Sequence, residues 1–139
     1  MIEIPEKLSD DILDRIASDY IGSIQTTGPE DMDYVICRFE TTMMKLRAAD
    51  DWRNQMYRVC VMLLSLYNQV DEEGYHLPDP ARATIGAALH YVCKPFDVIS
   101  DNIPGLGYVD DAHVLNLCLS HLEDICPEAL KKARKQHAS

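Results

Sequence analysis

Four aspartates in the last third of the chain, Asp97, Asp101, Asp110 and Asp111, carry the sharpest chemical potential in the sequence, with His90 and His113 close by. If residues 97–101 form one helical turn, Asp97 and Asp101 share a face, because residues four apart are neighbours on a helix. Asp110 and His113, three apart, share a face of the following helix. A turn at Gly105-Leu106-Gly107 that folds the two faces together would gather carboxylate oxygens around one imidazole. Such a donor set suits Mg²⁺, Mn²⁺ or Fe²⁺ better than zinc, and a metal held there can activate water for hydrolysis. The same residues also suit structural work. Asp97 follows Pro95-Phe96 and can cap a short helix. Asp101 before Asn102 can brace a loop through its backbone. Asp110 and Asp111 fall in a first helical turn, where carboxylates meet exposed N–H groups and the positive end of the dipole. Capping is the preferred reading, with no cofactor expected; a Mg²⁺ or Mn²⁺ site at Asp97, Asp101, Asp110, Asp111 and His113 is the alternative.

Other chemistry is sparse. Ser65, Ser100 and Ser120 lack a G-x-S-x-G context. The phosphate-cradling G-x-x-x-x-G-K-[ST] run is absent, and Gly105-Leu106-Gly107 is too short for a dinucleotide fingerprint. The five cysteines, Cys37, Cys60, Cys93, Cys118 and Cys126, form no C-x-x-C pair and sit in or beside apolar stretches. They read as small core residues rather than disulfides or zinc ligands. His121, four residues after Leu117, reads as a hydrogen-bonded core residue.

The elements that must position these residues are helical throughout. Ile12, Leu13, Ile16, Ala17, Tyr20 and Ile24 follow the i, i+3/i+4 rule, with Ser9 or Asp10 as N-cap. Gly28-Pro29 separates this helix from a second, whose stripe is Met32, Val35, Ile36, Phe39, Met43 and Leu46. Asp50 or Asp51 caps a third, striped by Trp52, Met56, Val59, Cys60, Leu63, Leu66, Tyr67 and Val70. The methionines of these helices read as core, with some free to face outward as an adaptable surface. Asp79-Pro80 opens a fourth helix with Ile85, Ala88, Leu89 and Val92 on one side, while Gly86 and Ala87 let a neighbour come close. Residues 95–111 hold two prolines and two glycines but also Phe96, Val98, Ile99, Ile103, Leu106 and Val109. That content predicts a loop packed onto the core. A helix from about Asp110 to Ile125 should be the most buried, with a polar stripe of His113, Asn116, Ser120 and Asp124. Pro127 starts a short last helix. The fold class is all-α, a bundle of five to six helices.

The run from Pro95 to Asp111 resembles the signature of the YkvA-like family, a small helical domain of unknown function, roughly P-x-D-x-I-P-D-x-I-P-x-x-G-x-x-D-D. The matching residues are Pro95, Asp97, Ile99, Asp101, Ile103, Pro104, Gly107, Asp110 and Asp111, and the likeness covers about residues 80–120. Ser100 and Asn102 stand where the family has proline and an apolar or aromatic residue, which weakens any expectation of a membrane-facing hairpin. The resemblance implies a helix-loop-helix fold and no particular chemistry.

The 139 residues fit a single domain, divided as 1–74 (three accessory helices), 75–126 (the helix-loop-helix part) and 127–139 (a short basic helix and tail). With 13 Lys+Arg against 23 Asp+Glu, the net charge of −10 opposes binding to phosphate backbones, so no DNA partner is expected. No apolar run reaches the ~18 residues of a membrane span. The opening MIEIPEKLSDD lacks the basic flank and apolar stretch of a signal peptide, which predicts a cytoplasmic protein with at most peripheral membrane contact. The basic run Lys131–Lys135 suits a helix C-terminus and could make a weak contact with anionic lipid or RNA. By elimination, the expected function is non-enzymatic, through a protein partner or self-association.

Overall fold

The computed structural model describes residues 1–5, 7–49, 51–69, 77–94 and 108–137. Among them every regular element is helical, in six helices with no strand: α1 (Asp10–Thr26), α2 (Pro29–Arg47), α3 (Arg53–Asn68), α4 (Asp79–Cys93), α5 (Val109–Ile125) and α6 (Pro127–Gln136). The fold is the all-α bundle that the hydrophobic period predicts. None of these helices is long and apolar enough to cross a membrane.

Local chemistry sets most helix starts. Ser9 is the N-cap of α1, its Oγ accepting from the Ile12 N–H at 3.4 Å. Gly28 precedes α2, with Pro29 at the first position, where a missing N–H costs nothing. The Asp31 carboxylate turns back to accept from the Gly28 N–H at 2.7 Å. Before α3, Asp51 accepts from both the backbone and the guanidinium of Arg53, each at 3.0 Å, which holds its carboxyl below the usual range. The N-cap position itself is Trp52, with no side-chain cap hydrogen bond, so the expected cap Asp51 braces the turn from one residue ahead of it. Asp50, the other expected cap, lies outside the described residues. At α4 the cap is Pro78 rather than Asp79, which is the first helical residue and meets the dipole from inside the first turn.

The core gathers around α4, which packs against α1, α2, α3 and α5. Small residues make this possible: Ala81, Gly86, Ala87 and Ala88 are all buried. A Cβ added at Gly86 would stand 3.2 Å from the Met32 Sδ, so α2 approaches here as closely as glycine allows. The expectation that α5 is the most buried helix is corrected by this centrality: nine residues are buried on α4 and nine on the longer α5.

Two expected core positions on α2 face out. Ile36 is 64% and Met44 66% exposed, whereas Met43, Met56 and Met62 are buried. Cys37 is also exposed, unlike Cys60, Cys93 and Cys118. The reason is rotational: Met32, Val35, Met43 and Leu46 already fill the inward face of α2. All five cysteines are free thiols.

The extended N-terminal segment is clasped by α5. Asn116 accepts from the Ile2 N–H at 2.9 Å and donates to the Ile2 carbonyl at 3.0 Å, and Glu3 N–H donates to Gln55 at 3.1 Å. Ile2 is thereby buried. Asn116 belongs to the polar stripe expected on α5, and this is what it does.

Candidate functional site

The first turn of α5 is the most polar part of the core. Tyr108 enters it in the left-handed region, at φ 74°, the one non-glycine residue with positive φ among those described. Its carbonyl then accepts from the Ala112 N–H at 2.9 Å. Val109, Asp110 and Asp111 follow, exposed by 0%, 0% and 1%. Burying a carboxylate costs several kcal/mol unless donors meet it. The Tyr91 hydroxyl of α4 is one such donor, giving its proton to Asp110 Oδ2 at 3.2 Å. The position of both acids in the first turn supplies the favourable end of the helix dipole.

Asp111 bears on two buried thiols from other helices. Burial pushes the Cys60 thiol well above its ordinary range, and the Cys93 and Asp111 charges add to that push. Burial also lifts Cys93 to about 11, against a hydrogen bond with Thr42 and with help from Asp111. These thiols are therefore protonated and unreactive near neutrality. His113, one turn along, is half-buried. Its burial lowers the imidazole below the usual value, and Nε2 has no hydrogen-bond partner among the described residues.

Of the expected site residues, the structure places Asp110, Asp111 and His113 on one helix. Asp97 and Asp101, with the rest of residues 95–107, where a packed loop was expected, lie outside the described residues. His90 goes elsewhere. Its Nε2 stands 3.5 Å from Asp31 of α2, and its ring meets Tyr34 edge-on at 5.6 Å. Among the described residues, no three His, Cys, Asp or Glu side chains are grouped to hold a metal.

His121 lies stacked on Tyr20 with ring centroids 6.0 Å apart. The Tyr20 hydroxyl donates to the Thr84 carbonyl at 3.0 Å, and the Cys118 Sγ reaches the same oxygen at 3.8 Å. This knot fastens α1 and α5 to the middle of α4. Burial raises the Tyr20 hydroxyl far above its ordinary value and Cys118 to about 12.

Sequence reasoning missed two features: the Ile2–Asn116 clasp and the stacking of Arg82 on Tyr67, whose ring centroid lies 4.6 Å from the guanidinium carbon. The clasp had a signal, since an asparagine on an otherwise apolar helix must find partners. Arg82 had none, because its platform comes from another helix.

Residues 81–117, from the third residue of α4 into α5, match the model of a family described as a protein of unknown function (DUF1232). The match covers about a quarter of the chain and identifies an uncharacterised family domain in that segment. No curated protein and no solved structure matches the chain.

Proposed function

We propose that this protein is a non-enzymatic helical module that binds another protein through the outer face of α2. The observation that carries this reading is the pair of large apolar side chains exposed there, Ile36 at 64% and Met44 at 66%. Single exposed apolar residues are ordinary. Two on the same exposed helix face, with exposed Cys37 between them in sequence, make a strip that a partner can cover, and methionine adapts readily to a partner's shape. The YkvA-like likeness over about residues 80–120 overlaps the matched segment, and it leaves the three N-terminal helices free to supply the contact surface.

The test is affinity capture with the full chain and with an Ile36→Lys/Met44→Lys variant, alongside sedimentation analysis to register self-association. Both positions are exposed, so the variant should melt like the parent. A protein, or a second copy, retained by the parent and lost from the variant supports the reading. Identical capture and identical sedimentation refute it.

A second reading is the Mg²⁺ or Mn²⁺ site expected at Asp97, Asp101, Asp110, Asp111 and His113, although Asp110, Asp111 and His113 do not by themselves form a group that could hold an ion. It draws support from the buried His113 Nε2 that finds no hydrogen-bond partner among the described residues. A metal that binds the folded state raises the melting point by mass action. Superimposable melts in Mg²⁺, Mn²⁺ and EDTA, with no metal in the purified protein, would remove this reading and leave the first intact.

A further inference from the structure

The N-terminal ends of α2 and α4 and the last turn of α3 surround an open cleft of about 730 Å³. That lies within the ~300–1,000 Å³ typical of small-molecule sites. Gly86 helps form its floor. A Cβ there would meet Met32 Sδ at 3.2 Å and lie 3.8 Å from Tyr67 Cε2, so the glycine lets these two lining side chains come close to α4.

Arg82 stands on the wall. Its guanidinium is held over the Tyr67 ring, with 4.6 Å between the guanidinium carbon and the ring centroid. Its Nε is buried and has no hydrogen-bond partner among the described residues. Arg53 and Arg134, by contrast, each have a carboxylate at 3.0 Å. An arginine fixed on an aromatic face presents a planar donor fork whose natural complement is a carboxylate or phosphate. The rest of the wall narrows that choice. Asp79, three residues before Arg82 on α4, and Asp33 of α2 also line the cleft, and the whole chain carries a net charge of −10. A multiply charged anion would be repelled, whereas a molecule with one carboxylate and one ammonium finds a partner for each.

We infer that this cleft binds a small zwitterion of the amino-acid class, its carboxylate on Arg82, its ammonium towards Asp33 and Asp79, and its apolar part over Met32 and Gly86. The inference does not depend on the partner surface of α2.

Calorimetric titration of the full chain tests it with three probes of one shape: L-phenylalanine, L-phenylalaninamide (no carboxylate) and hydrocinnamate (no amine). L-leucine and L-methionine extend the zwitterion set. The expected result is saturable binding of at least one amino acid, with the amide and the simple acid at least tenfold weaker. Arg82→Met keeps the stem on Tyr67 and should erase the preference for the zwitterion over the amide. If Arg82→Met loses its melting transition, Arg82→Gln, which removes the charge but keeps a planar polar end, serves the same comparison. No saturable binding of any of the three amino acids at millimolar concentration overturns the inference. So does equal affinity for the amide, or unchanged affinity in a folded Arg82 variant.

Discussion

Removing the Tyr91 hydroxyl tests how much one donor contributes to holding the buried acid Asp110 in place. Tyr91→Phe leaves the ring packed against the core and deletes the donor to Asp110 Oδ2. Because Asp110 is 0% exposed, water cannot take the donor's place without opening the structure. A hydrogen bond to a charged group contributes about 1.5–3 kcal/mol. At 3.2 Å this one is longer than the ~2.7–2.8 Å typical between oxygens, so the low end applies, about 1.5 kcal/mol. For a chain of this size that corresponds to roughly 5 °C in Tm. Urea unfolding should show a lower midpoint at unchanged slope, since no extra surface is exposed. A double-mutant cycle with Asp110→Asn should give a coupling of about 1 kcal/mol, because the two changes share one contact. If Tyr91→Phe stays within about 0.3 kcal/mol of the parent, or the cycle closes without coupling, the hydroxyl is not an anchor for this acid.

Three further outcomes follow from the same geometry. Asn116→Ala should cost about 1–3 kcal/mol, two hydrogen bonds' worth, and hydrogen exchange should show the Ile2 and Glu3 amides losing protection together; protection kept in the variant would deny the clasp. In the native protein at pH 8, a thiol reagent should label exposed Cys37 first and the partly buried Cys126 more slowly. Cys60, Cys93 and Cys118, whose thiols burial raises, should react only on unfolding; early labelling of any of them would contradict their packing. The His113 imidazole is lowered in the folded state, so its contribution is present above the unfolded value of about 6.5 and is lost as pH falls through the lower folded value. Urea midpoints between pH 7 and 5 should therefore fall less steeply in His113→Gln than in the parent, and parallel curves would refute this.

Helix starts were legible wherever one residue decides them. Ser9 offers a side-chain acceptor, while Gly28-Pro29 and Pro127 interrupt the preceding helix and open the next. The inward stripe of α2 was legible only in part, because four apolar positions were enough to fill its contact face and the period could not say that Ile36 was surplus. Asn116 was marked as polar on a buried helix, but its partner lies 114 residues away in sequence. No local pattern reaches that far. The burial of Asp110 and Asp111 was harder still, because acids in a first turn look alike in sequence whether they face water or Tyr91. Asp97 and Asp101 lie outside the described residues.

Tyr108 leads into α5 with a backbone geometry that costs an L-residue with a Cβ about 1–2 kcal/mol. Glycine or asparagine would sit there comfortably; a tyrosine stays only because its neighbours over-determine it. An excised peptide covering 108–125 should therefore start its helix at a different residue, or not at all. The register of the two buried acids is thus a property of the assembled protein, imposed from outside on a stretch that would choose otherwise if left alone.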